Sequence, residues 1–250
     1  MEELSKAVET ATLDDDDAIK FVDTVSGVKA MIETLKKDGT KEVAVDFEGV
    51  DLCRSGELCT MQLSDGKLTW IIDVTTLGED AFEDGGLRDL LQNPEVIKVG
   101  YDGRADNDAL YNLHATKLVG FYDVQIASCN RQDAEEGRRD RFVHGLGRAI
   151  GRFLKDDPAR AETLKKTKET GLALFAPEKG GSYEVWKERP LKKSLIEYAA
   201  ADVALLLEMK QAWIGHSSMR DNLARAAVRI NKAAMGPMPA KGRHMAKKDF

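Results

Sequence analysis

The chain has 250 residues, 42% hydrophobic and 32% charged, with a net charge of −6, a composition that suits a globular protein able to bury a core. No apolar run approaches the ~20 residues of a membrane span, the acidic opening MEELSKAVETATLDDDD lacks a secretory pattern, and Cys53, Cys59 and Cys129 show no CxxC spacing, which speaks against a disulfide framework or a zinc knuckle. An intracellular protein without a membrane segment is expected. The charge is unevenly spread: residues 1–100 carry 23 Asp and Glu against 10 Lys and Arg, and residues 101–250 carry 20 against 27. A polyanion would be met by the second half, and clustered acids in the first could be neutralised locally by metal.

In chain order, residues 1–17 read as a flexible acidic lead-in. Helical periodicity follows over 18–39 (Ile19, Val22, Val25, Val28, Met31, Ile32, Leu35), ending at Gly39. Three strand-like runs come next, 43–48, 58–64 and 69–74, the last two joined by the hairpin signal Asp65-Gly66-Lys67. A short helix at 86–92 stops near Asn93-Pro94 and leads to a fourth strand at 96–100. A helix over 103–114, a fifth strand near 119–122 and another helix follow. From about 141 the pattern is mainly helical, with a Gly/Pro break at 176–181, a strong helix at 191–213 and an amphipathic helix at 217–234 that could bind a partner or cap the core. Residues 235–250 read as a basic, disordered tail, which leaves one domain over 18–234. A β-meander followed by βαβ units implies an α/β architecture: a mixed sheet of about five strands, antiparallel meander plus parallel strands, flanked by helices.

Three segments stand out chemically. In Val43-Ala44-Val45-Asp46-Phe47-Glu48, the apolar run implies a buried central strand, and the two-residue spacing puts both carboxylates on one face. Such a pair is costly to bury unless a cation compensates it, and all-oxygen ligands favour Mg²⁺ or Mn²⁺; a strand end emerging into solvent would make the same pair harmless. In Lys98-Val99-Gly100-Tyr101-Asp102-Gly103-Arg104-Ala105-Asp106-Asn107-Asp108, a strand runs into a helix. Acids there complement the helix dipole, which accounts for Asp102 better than for Asp106 or Asp108. In Tyr198-Ala199-Ala200-Ala201-Asp202, phenol and carboxylate share a helix face at i and i+4, and the alanines let that helix approach the sheet. The same pair would also suit a hydrogen bond at a core margin.

Together these segments resemble the DEDD exonuclease superfamily, in the tyrosine-bearing branch that includes ribonuclease D and Werner-type exonucleases. The first motif matches as Asp46-x-Glu48 with Arg54, Gly56, Leu58 and Gln62 after it. The second matches as the strand 96–100 with Asp106 and Leu110, and the third as Tyr198-x-x-x-Asp202 preceded by Arg189-Pro190-Leu191. The stretch Phe121-Tyr122-Asp123-Val124-Gln125-Ile126-Ala127 is similar to the family's link between its later motifs, and the second motif is most similar to Egalitarian-like eukaryotic members. The histidine-bearing branch would place His where this chain has Glu197. The resemblance covers roughly residues 20–213; Tyr101 stands where many relatives carry His, and nothing after 213 is similar to the helical domain that follows in ribonuclease D.

The resemblance implies a ribonuclease H-like fold and metal-dependent 3′-to-5′ hydrolysis of single-stranded RNA or DNA ends, releasing nucleoside 5′-monophosphates with two Mg²⁺ or Mn²⁺ ions. It further implies that Asp46 bridges both ions, that Glu48 and Asp202 hold the one nearer the nucleophile, and that Asp106 holds the other. Tyr198 would stand beside the attacking water, and Gly49, Tyr101 and Arg104 against substrate. Two other readings compete. One is a nucleic-acid-binding scaffold on an exonuclease fold with weak or no catalysis. The other, a nucleotide-binding α/β protein, lacks support, because no GxxxxGK[ST] or GxGxxG follows a strand.

Overall fold

A computed structural model describes residues 18–137, 139–237, 248 and 250. The expected lead-in at 1–17 lies outside those residues, as does most of the expected tail at 235–250. Strand β1 (Ile19–Val22) and helix α1 (Val25–Lys37) open the described chain. Here the sequence reading is corrected, since the helix expected from 18 begins only after Thr24, whose hydroxyl accepts the Gly27 N–H at 3.1 Å. Ile19 and Val22 fit a helical face by spacing, but their pairing with β4, fifty residues on, makes them a strand that local periodicity cannot reveal.

The meander forms as expected from β2 (Glu42–Val50), β3 (Glu57–Ser64) and β4 (Thr69–Asp73). At its turn the Asp65 carboxylate accepts the N–H groups of Lys67 and Leu68, both at 2.8 Å. Short helices α2 (Val74–Leu77) and α3 (Leu87–Gln92) lead to β5 (Ile97–Gly100), α4 (Arg104–His114) and β6 (Phe121–Asp123). The rest is helical: α5 (Val124–Glu136), α6 (Leu146–Phe153), α7 (Pro158–Phe175), α8 (Lys193–Val203), α9 (Leu206–Trp213) and α10 (Met219–Met235). The helix expected over 191–213 is therefore two. Both halves bury the same stripe, Leu195 to Val203 and then Leu206, Met209 and Trp213, so the apolar pattern runs through the break unmarked.

The six strands lie in the order β1-β4-β3-β2-β5-β6. The β2–β3 and β3–β4 pairs are antiparallel, while β1–β4, β2–β5 and β5–β6 are parallel. This is the expected mixed sheet with one more edge strand. Along β2 the side chains alternate: Val43, Val45 and Phe47 pack with α1, α3, α4 and α10, while Ala44 belongs to the opposite core beneath α8 and α9. Asp46 and Glu48 share the Ala44 face. Helix α10 caps the core through Ala226 and Ile230, and its Asn222 carboxamide oxygen accepts the Asp123 N–H at 2.8 Å. The chain's end reaches the same region, with Lys248 paired to Asp133 and the Phe250 ring 5.0 Å from the Arg229 guanidinium.

Candidate active site

The site forms where β2 outruns its parallel neighbour. Pairing with β5 ends at Ala44–Val99, whereas β3 accompanies β2 onward, setting Gln62 opposite Asp46 and Thr60 opposite Glu48. Asp46 and Glu48 thus project at the carboxyl edge of a parallel pair, the usual place for a crevice in an α/β sheet. After Glu48 the register with β3 shifts at Gly49, where a Cβ would stand 1.9 Å from the Glu57 carbonyl oxygen. Close approach of two backbones thus accounts for that glycine.

Helix α8 closes the crevice. The guanidinium of Arg189 grips Asp73 at the end of β4, with Nε–Oδ2 at 2.7 Å, just before α8 begins. The buried Ala199–Ala201 run then lets Tyr198 and Asp202 reach down to the sheet. Ligand atoms of Asp46, Glu48 and Asp202 all lie within 4.8 Å of one another. The Tyr198 ring is locked by Phe175, edge-on at 5.0 Å, and by Trp186 at 6.2 Å.

Electrostatically the crevice is strained. Burial, then the charge of Asp202, holds the Asp46 carboxyl well above the usual carboxylate range. Glu48 is raised by burial and by Asp46 and Asp202, and Asp202 is raised by burial although Lys168 opposes the shift. The Tyr198 phenol is pushed up by burial and by the three carboxylates. One oxygen of Asp202, Oδ2, is buried without a hydrogen-bond partner among the described residues. Crowded carboxylates with an unmatched buried oxygen fit a hard divalent cation, which would supply the missing positive charge.

Asp106 enters from the first turn of α4 and lies outside the 4.8 Å cluster. It is raised by burial and by the charge of Asp46. Its rival Asp108 faces elsewhere: it accepts the Arg54 N–H and Nε–H, both at 2.8 Å. The same guanidinium caps the carbonyls of Ala233, Ala234 and Gly236 at the end of α10. The hydroxyl of Tyr101 donates to the His144 carbonyl at 2.8 Å, and Arg104 pairs with Asp102 at 2.6 Å. The sequence reading missed Lys168, whose ammonium pairs with Asp202 and lies 3.8 Å from the Tyr198 ring centroid. In sequence it is one of several lysines in a charged stretch, indistinguishable from a solvated face.

Comparison with known proteins adds to this geometry. A family model described as a 3′-5′ exonuclease matches residues 19–213. The piRNA biogenesis protein EXD1 of Mus musculus is 28% identical over 181 residues, covering 70% of this chain and 29% of its own. The exosome complex exonuclease RRP6 of Saccharomyces cerevisiae is 30% identical over 199 residues, covering 78% and 22%. This chain therefore spans less than a third of either curated relative. The ribonuclease D of Trypanosoma brucei, solved as a GMP complex, superposes with a TM-score of 0.68 at 23% identity, over 92% of this chain and 68% of that one. The same enzyme solved with RNA U12 gives 0.66 at 23% identity, over 91% and 77%. These likenesses bear out the expected fold, α/β and ribonuclease H-like, of the kind found in ribonuclease D and RRP6.

Proposed function

Because this chain belongs to the 3′-5′ exonuclease family matched over residues 19–213, we propose that it hydrolyses the terminal phosphodiester of single-stranded RNA or DNA from the 3′ end. The product would be a nucleoside 5′-monophosphate, and the chain would act as a member of the tyrosine-bearing, Egalitarian-like branch. The observation that carries this reading is the convergence of Asp46, Glu48 and Asp202 within 4.8 Å. It is joined by Tyr198, one helical turn from Asp202 and buried against Phe175 and Trp186.

Two Mg²⁺ or Mn²⁺ ions, when bound, would neutralise charge on the reacting phosphate and acidify the attacking water. Asp46, whose carboxyl interacts by charge with Asp202, Glu48 and Asp106, would contribute to holding both ions. Glu48 and Asp202 would hold one, and Asp106, from α4, the other. The phenol of Tyr198 is held protonated at neutral pH by burial and its acidic neighbours, so it acts by donating a hydrogen bond that orients the water and not by removing its proton. Gly49, Tyr101 and Arg104 are the residues proposed along the substrate. Tyr101 would contribute its ring or backbone, since its hydroxyl is taken by His144.

The test is digestion of 5′-labelled single-stranded RNA and DNA with Mg²⁺, Mn²⁺ or chelator. The trypanosomal ribonuclease D solved with RNA U12 supports RNA as the first substrate to try. Stepwise shortening from the 3′ end with either ion and none in chelator is expected. Full-length label on both substrates under both ions, with nucleic acid bound, would replace this reading with that of a binding scaffold.

A further inference from the structure

The acid crevice contains a cation of the protein's own. Lys168, from the middle of α7, reaches across α8 and ion-pairs with Asp202, its side chain only 19% exposed. Its ammonium sits 3.8 Å from the Tyr198 ring centroid, a cation–π contact, and its charge is felt favourably by Asp46 and Glu48 as well as by Asp202. Its three nearest lysines along α7 and the preceding turn, Lys155, Lys165 and Lys166, are exposed.

The placement is built in. One turn after Lys168, Gly171 lies against Tyr198, where a Cβ would stand 2.5 Å from the tyrosine Cβ. Only the absence of a side chain lets α7 cross α8 this closely, and that crossing brings Lys168 over Asp202 instead of into solvent. Two or more carboxylates of like charge repel at this separation, and burial amplifies the cost. A single ammonium removes part of it, yet leaves Asp202 Oδ2 without a hydrogen-bond partner among the described residues.

We propose that Lys168 is an internal counter-ion that competes with divalent cations for Asp202, so that cation affinity is set by how readily this ammonium yields. The inference rests on the reading of Asp46, Glu48 and Asp202 as cation ligands. A lysine that competes weakens cation binding, and removing it strengthens binding while destabilising the protein in chelator. A lysine that merely holds Asp202 in place for the cation does the opposite: its removal weakens binding.

The experiment is calorimetric titration of the full chain with Mn²⁺, paired with thermal melting in chelator, for wild type, Lys168→Met and Lys168→Arg. Lys168→Gln serves where the Met chain fails to fold. The neutral variants should bind Mn²⁺ about tenfold or more tightly than wild type and melt lower in chelator. The Arg variant, which keeps the charge, should stay near wild type in both. Wild-type binding with equal or weaker affinity in the neutral variants overturns the competition and leaves the ligand set standing. Absence of Mn²⁺ binding in every chain removes the ligand set, and the competition with it.

Discussion

Two groups of carboxylates, buried or half-buried, are satisfied in opposite ways. On one side Asp123 accepts the N–H groups of Asp102 and Gln125 at 2.9 Å and the Arg229 guanidinium at 2.5 Å. From α4, Asp108 likewise takes two hydrogen bonds from Arg54. On the other side Asp46, Glu48 and Asp202 crowd together with Lys168 as the ammonium that offsets them, and one oxygen is unmatched among the described residues. Acids withdrawn from solvent are common to both. What separates architecture from a reactive site is whether each carboxylate has been given its own donors.

The largest effect is expected on the satisfied side. Asp123→Ala leaves the Arg229 guanidinium buried and without its strongest partner, which costs about 3–5 kcal/mol; urea denaturation checks it, and a loss under 1 kcal/mol would blur the distinction. On the crowded side Asp46→Asn relieves repulsion, so the melting temperature in chelator should hold or rise. Turnover on labelled substrate should fall ~10²-fold or more, the usual consequence of losing a group that stabilises charge in the transition state. Within α4 the two behaviours should separate by two residues. Asp108→Asn loses about 1–3 kcal/mol of stability with turnover per folded molecule retained, whereas Asp106→Asn loses turnover and keeps its stability; the reverse pattern would move the site to Asp108.

A smaller effect tests the satisfied side by pH. His144 bonds Ser128 at 2.8 Å, and burial, then Arg148 and Arg152, lowers its pKa to about 4. The unfolded chain, with the imidazole near its ordinary value of about 6.5, takes up a proton in that interval which the fold refuses. Stability on this account is complete above about pH 6.5 and is lost as pH falls toward about 4, by at most about 1.4 kcal/mol per pH unit. The raised carboxylates of the crevice, and Asp123, which burial pushes up to about 6, act in the other direction, so the measurement is the difference between wild type and His144→Gln across that window. A difference independent of pH would mean the imidazole is not held neutral.

The crowded side was largely legible in the sequence, because its geometry follows from local periodicity. A two-residue spacing on a strand and a four-residue spacing on a helix put Asp46 with Glu48, and Tyr198 with Asp202, on shared faces. That these faces meet follows from α8 packing on the Ala44 side of the sheet, which the alanine run made readable. The satisfied side was not legible, since Asp123 and Arg229 find each other across 106 residues and no local pattern links them. The same holds for β1, whose partner is β4, and for Lys168, whose role depends on a helix crossing set by Gly171. Acidic pairs announce themselves by spacing, and their counter-ions arrive by tertiary packing.

The most direct test of the distinction is thermal melting of wild type and Glu48→Gln across a Mn²⁺ titration, with no substrate present. If the crowded carboxylates form a cation site, Mn²⁺ raises the wild-type melting temperature in a concentration-dependent way, by about 2.7 kcal/mol of stability at a hundredfold excess over the dissociation constant. The Glu48→Gln chain, which starts at or above the wild-type melting temperature in chelator, should shift far less. Equal shifts in the two chains, or none in wild type, would contradict the assignment of this crevice as the cation site.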